Sequence, residues 1–179
     1  MECVALNYCS RFKGYSLKTL ISKCKKIKSL LLQNTGIEDN AVNAVEWDQT
    51  TIQELDLSST DLSEAALLDL LCRIPALLYL SVSNCDGFTD KVTIYIVFFK
   101  QLLNILKFWL KVLEAMNELN KFSRLNALDI GNTVNITSEA VFSFIKKYGN
   151  QLKGFSYPGN VKVTEQFWIS SIQNMKNIR

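Results

Sequence analysis

One spacing recurs along this chain, and it limits what the chain can fold into more than any other feature. In the stretch IQELDLSSTDL, Ile52 to Leu62, apolar side chains stand at the first, fourth, sixth and eleventh places, with a small hydroxyl, Thr60, at the ninth. Leu55 and Leu57 fall on one face of a short strand, because successive strand side chains point to opposite sides. Thr60 stands where the chain leaves the strand, and its hydroxyl can satisfy a backbone group there. Ser63 then reads as a helix N-cap, with Ala66, Leu67, Leu70 and Leu71 at helical spacing behind it. A strand and a helix this short cannot bury their apolar faces alone. They require copies stacked on either side.

The copies are present. Ile27, Leu30, Leu32, Thr35 and Ile37 repeat the pattern, and Leu77, Leu80, Val82 and Cys85 repeat it again, with Phe88 one place late. Leu125, Leu128, Ile130, Thr133 and Ile136 form a further copy, as do Leu152, Phe155, Tyr157, Asn160 and Val163. Val4, Leu6, Cys9 and Phe12 make a partial one at the start. Counted from the first apolar place, the intervals are 25, 25, 48 and 27 residues. Each copy runs on into a helix start: EDNAV from Glu38, SEAAL from Ser63, TDKV from Thr89, TSEAV from Thr137 and TEQFW from Thr164. Ser or Thr followed by an acid places a capping oxygen and negative charge at the positive end of the helix dipole. The helix carrying Leu17, Leu20, Ile21 and Cys24 leads into Ile27 in the same way. The spacing predicts an α/β solenoid of about five or six repeats, with strands lining the inner face and helices the outer one.

This pattern is that of a leucine-rich repeat, and Cys85 followed by Phe88-Thr89-Asp90, with Ile136-Thr137 and Val163-Thr164-Glu165 in parallel, resembles its cysteine-containing subfamily. Cys9 and Cys85 fit that subfamily's turn, and Leu71-Cys72-Arg73-Ile74-Pro75 and Leu20 to Cys24 fit its helix end. Many proteins with such repeats are F-box proteins, in which the repeats capture a substrate and an F-box docks the adaptor of a cullin-based ubiquitin ligase. The resemblance implies a substrate-recognition module of that kind. No F-box segment precedes the repeats here, so a ligase adaptor is an expected partner only of a longer form carrying one. The alternative is a scaffold or inhibitor solenoid unrelated to ubiquitin.

Composition narrows the chemistry. The 179 residues, 48% hydrophobic with a formal net charge of +3, suit one soluble domain with a substantial core. Five cysteines without a C-x-x-C pair, no histidine and no secretory leader favour a reducing compartment, cytoplasmic or nuclear. Absence of histidine removes the commonest general base and every Ser-His or Cys-His pair. No enzymatic activity, cofactor or metal is expected.

The long interval holds TIYIVFFKQLLNILKFWLK, Thr93 to Lys111. Removing residues 92–111 joins TDKV to LEAMNEL and shortens the interval to 28, so the stretch reads as a hydrophobic helical insertion within one repeat, of the sort translated intron sequence would produce. Lys100, Asn104, Lys107 and Lys111 recur on one side of it. The plain reading is an extra helix on the outer surface with exposed apolar area. An interfacial helix touching a membrane is the competing one, and the lysines argue against a span.

Residues flanking the strand leucines project onto the inner surface, where partners of such solenoids bind. They are Ser29, Leu31 and Gln33; Glu54, Asp56 and Ser58; Tyr79, Ser81 and Ser83; Ala127, Asp129 and Gly131; and Gly154, Ser156 and Pro158. Gln33, Glu54, Asp56, Tyr79, Ser81 and Asp129 are the candidate partner-binding residues: a mildly acidic surface around one aromatic anchor, fit for a basic protein segment. Glu54 and Asp56 form a carboxylate pair, but catalysis needs a cleft and a perturbing environment as well. Lysines and Arg11 crowd the N-terminal third, yet Lys23, Lys25 and Lys26 fall at a helix C-terminus, where cations complement the dipole. No nucleic-acid partner is expected.

Overall fold

The computed structural model describes residues 2–93, 124–159 and 163–178. Six strands form one parallel sheet in strict chain order: β1 (Cys3–Ala5), β2 (Ser29–Leu31), β3 (Glu54–Asp56), β4 (Tyr79–Ser81), β5 (Ala127–Asp129) and β6 (Gly154–Ser156). Helices α1 (Gly14–Lys23), α2 (Asp39–Asn43), α3 (Glu64–Arg73), α4 (Ser138–Tyr148) and α5 (Glu165–Ile172) return the chain between and after the strands. The fold is an α/β leucine-rich-repeat solenoid.

The repeat positions read from the sequence become rungs. Val4, Leu30, Leu55, Leu80, Leu128 and Phe155 are register partners along the sheet. Leu30, Leu55, Leu80 and Leu128 are buried, as is the second row of Leu32, Leu57, Val82 and Ile130. Ile27, Ile52, Leu77, Leu125 and Leu152 seal the entry to each strand. Burying one such side chain contributes about 1.5–3 kcal/mol, so three contribute roughly 5–9 kcal/mol, against an ordering cost of about 1–2 kcal/mol for each residue of the repeat; the helix face and the strand ladder supply the rest.

The turn after each strand places one residue in the left-handed region: Tyr8, Asn34, Ser59, Asn84, Asn132 and Gly159, with φ between 51° and 77°. Asn and Gly tolerate this conformation best, and four of the six positions carry them. The next residue closes the turn. Thr35, Thr60 and Thr133 donate their hydroxyls to the carbonyls of Leu32, Leu57 and Ile130 at 2.6–2.7 Å. Cys85 instead reaches back a whole repeat, its thiol lying 3.0 Å from the Leu57 carbonyl. Burial pushes that thiol above its ordinary pKa, against hydrogen bonds from Thr60 and Ser59.

Ser63, Thr137 and Thr164 cap α3, α4 and α5 through their side-chain oxygens, as the spacing predicts. Helix α2, with Glu38 at its N-cap position, differs, having no side-chain cap and running for only five residues. Its repeat is completed by a 3-10 turn, Trp47–Gln49, in which Trp47 is fully buried and donates its indole N–H to the Val42 carbonyl. The acids of the helix starts do more than face the dipole. Asp39 accepts the Ser63 N–H, and Asp90 accepts both the N–H and the hydroxyl of Thr137. Glu64 accepts the Thr89 hydroxyl and pairs with Lys91, which together hold its carboxyl below the usual range. Each acid thereby ties its own repeat to the start of the next helix.

β4 and β5 pair directly, Tyr79 against Ala127, although 48 residues separate them. The two strands are therefore immediate neighbours in the sheet. Apart from Val92 and Thr93, both buried, the insertion read from the sequence lies outside the described residues.

Candidate functional site

Side chains of the inner face fall into three rows across the sheet. The first runs Ser29, Glu54, Tyr79, Ala127 and Gly154, which are register partners on β2 to β6. The second runs Leu31, Asp56, Ser81, Asp129 and Ser156. The third, one step past the strands, comprises Gln33, Ser58, Ser83, Gly131 and Pro158. Ser29 apart, the first two rows line an open groove of about 450 Å³.

Row by row, chemistry differs from the uniform surface that alternation alone predicts. Tyr79 stands 42% exposed, and Glu54 is exposed beside it, its carboxylate without a hydrogen bond or ion pair among the described residues. Asp56 and Asp129 are half-buried and turn part of their bonding capacity inward. Asp56 accepts the Ser58 N–H at 2.8 Å, and Asp129 accepts the Gly131 N–H at 3.0 Å and the Ser81 hydroxyl at 3.1 Å. Burial disfavours the Asp129 carboxylate, but hydrogen bonds from Ser83, Gly131, Ser156 and Ser81 outweigh it and hold the carboxyl below its ordinary range. Ser81 also exchanges a 2.7 Å hydrogen bond with Ser58. Gln33 is half-buried, its N–H donated to the Asn7 side chain.

Two residues expected on the accessible surface are not there. Ser58 is buried by its bond to Ser81. Gly131 is buried as well, because Pro158 of the next repeat covers it: a Cβ at Gly131 would come within 2.7 Å of the proline ring. Of the six candidate residues, the structure brings Glu54, Asp56, Tyr79, Ser81 and Asp129 to one groove, while Gln33 lies off it. Ala127 and Gly154 complete the floor. The sequence placed both on this face, but their small size became meaningful only once the register set them beside Tyr79.

Among the described residues no three His, Cys, Asp or Glu side chains group closely enough to hold a metal ion. No described helix is long and apolar enough to cross a membrane. On the outer side, Ile169 and Ile172 of α5 are exposed, although the residues one repeat earlier, Phe142 and Ile145, are covered. Phe142 packs edge-on against Phe167 of α5.

No family model matches the chain. In sequence it is similar to the BTB/POZ domain-containing protein FBL11 of Arabidopsis thaliana, 31% identical over 98 residues that make up 50% of this chain and 10% of that protein. The chain therefore spans about a tenth of the length of the curated relative it matches. In structure it is similar to a chain of the Rad7 and Elc1 complex of yeast, with a TM-score of 0.54 at 15% identity over 93% of this chain and 32% of that one. It is also similar to the tropomodulin C-terminal domain of Caenorhabditis elegans, with a TM-score of 0.53 at 11% identity over 99% of this chain and 83% of that one. At these identities the structural likeness speaks for the fold alone.

Proposed function

We propose that this chain is a protein-binding leucine-rich-repeat module, without chemistry of its own, that forms the substrate-recognition part of an F-box-type ubiquitin ligase subunit. The observation that carries the binding reading is the inner face. Its groove presents an exposed tyrosine and a free carboxylate on a sheet whose own hydrogen bonds and buried rungs hold it rigid. A rigid face loses little conformational entropy on binding, and an aromatic anchor at its centre is the side-chain type that dominates interface energies.

The ligase reading draws on the cysteine-containing repeat pattern, on the likeness to FBL11 and on the likeness to a chain from a complex with Elc1. By that reading, the repeats hold a substrate while another part of the natural protein engages the adaptor. The equal likeness to a tropomodulin domain favours the second reading, a scaffold solenoid outside the ubiquitin pathway. Affinity purification of the full natural protein separates the two. Co-recovery of a ligase adaptor and a cullin is the outcome expected; a partner that is lost on Tyr79→Ala but arrives without adaptor or cullin would leave only the scaffold.

A further inference from the structure

We propose that the groove takes an extended basic segment through an arginine, its guanidinium lying against the Tyr79 ring and paired with Glu54. This rests on the inner-face reading above and adds the chemistry of the occupant. Three observations carry it. Among the described residues no lysine or arginine lines the groove, whereas Glu54, Asp56 and Asp129 all do, so the face attracts a basic segment and repels an acidic one. Of those three, Asp56 and Asp129 spend acceptor capacity on Ser58, Ser81 and Gly131, while the Glu54 carboxylate has no hydrogen bond or ion pair among the described residues. Finally, Glu54 and Tyr79 are register partners on β3 and β4, and on the far side of the ring the row drops to Ala127 and then Gly154.

Neighbouring strands stand about 4.8 Å apart, so the Glu54 carboxylate and the Tyr79 ring address one ligand group together. The step down to Ala127 and Gly154 leaves room on that side for the backbone of the segment. A planar cation that enters over the Glu54–Tyr79 pair lies against the ring while its N–H fork meets the carboxylate. Guanidinium satisfies both demands at once; an ammonium is compact, strongly hydrated and cannot bond bidentately. Asp129 and Asp56 then act as positioning residues and background charge rather than as the ligand's direct partners.

Fluorescence anisotropy of the full chain with labelled hexa-arginine, hexa-lysine and hexa-glutamate peptides tests the proposal. Hexa-arginine is expected to bind more tightly than hexa-lysine, and hexa-glutamate not at all. Tyr79→Ala and Glu54→Gln should each weaken hexa-arginine binding by about tenfold, while Glu46→Gln, an exposed acid outside the groove, leaves it unchanged. Equal weakening by all three variants, or no binding at millimolar peptide, overturns the proposal. Circular dichroism of each variant checks that the fold is retained. Panning a random peptide library on the chain separates this failure from failure of the inner-face reading. Peptides lost on Ala127→Trp but lacking arginine would keep the inner face and overturn the arginine site. Peptides indifferent to Ala127→Trp would overturn both.

Discussion

Ile145 and Ile172 occupy the same place in successive repeats, each the ninth residue of the segments beginning at Thr137 and Thr164, yet shortening them should have very unequal consequences. Ile145 is 0% exposed, because α5 and its repeat stack over it; Ile172 is 63% exposed. Ile145→Ala removes buried carbons and leaves a cavity among close-packed neighbours, a loss of about 2–5 kcal/mol. At Ile172 only about a third of the side chain is withdrawn from water, which is worth on the order of 0.5–1 kcal/mol. Alanine's better helix propensity returns a few tenths of that, ~0.4 kcal/mol. The net cost at Ile172 is therefore about 0.5 kcal/mol or less. Urea unfolding followed by far-ultraviolet circular dichroism reads the difference directly. With a slope of about 2 kcal/mol per molar urea, Ile145→Ala should lower the midpoint by roughly 1–2.5 M and Ile172→Ala by less than about 0.3 M. Equal shifts for the two variants, unchanged across a tenfold range of protein concentration, would refute the burial argument.

Other perturbations follow from the same contacts. Thr60→Val keeps the shape of a buried side chain but deletes its 2.6 Å bond to the Leu57 carbonyl, which then retains only the weak Cys85 thiol donor; a loss of about 1–2 kcal/mol in the same urea assay is expected. Asp129 has a folded-state pKa below its unfolded value, so its contribution to stability is present above about pH 4 and is lost as pH falls through the folded pKa. Stability curves between pH 6 and pH 2.5 should accordingly fall less steeply for Asp129→Asn than for the wild type, and parallel curves would contradict the assigned hydrogen bonds. Exposed Cys3 and Cys9 should be alkylated by iodoacetamide in the native protein, whereas buried Cys85, its thiol held protonated, should react only after denaturation; peptide mass spectrometry over a time course distinguishes them.

Much of the fold is written in the periodicity. Leu30, Leu55, Leu80 and Leu128 stack as rungs because each occupies the same place in a repeat, and any chain repeating that place must bring them into line. The caps at Ser63, Thr137 and Thr164 are equally local, needing only a hydroxyl before a helix. The inner-face residues were legible as a set for the same reason. Their individual states were not. Ser58 and Gly131 alternate outward like Asp56 and Asp129, but Ser81 and Pro158, from neighbouring repeats, bury them. Likewise Asp39, Glu64 and Asp90 read as dipole partners, and only the stagger between repeats shows them bonded across to the next helix start or its flank.

The amino-acid order by itself determined the repeat unit, its number of rungs, the faces of its strands and the exclusion of histidine chemistry, because each depends on residues a few places apart along one chain. Tertiary structure decided which of the three carboxylates on the inner face is left free for a partner, and which of two equivalent isoleucines is core. Those outcomes depend on what the neighbouring repeat lays against a side chain: a hydroxyl beside Asp129, a helix over Ile145, open solvent at Glu54 and Ile172. A repeating sequence assigns equivalent positions the same role, and only the stacking of unlike neighbours makes them differ.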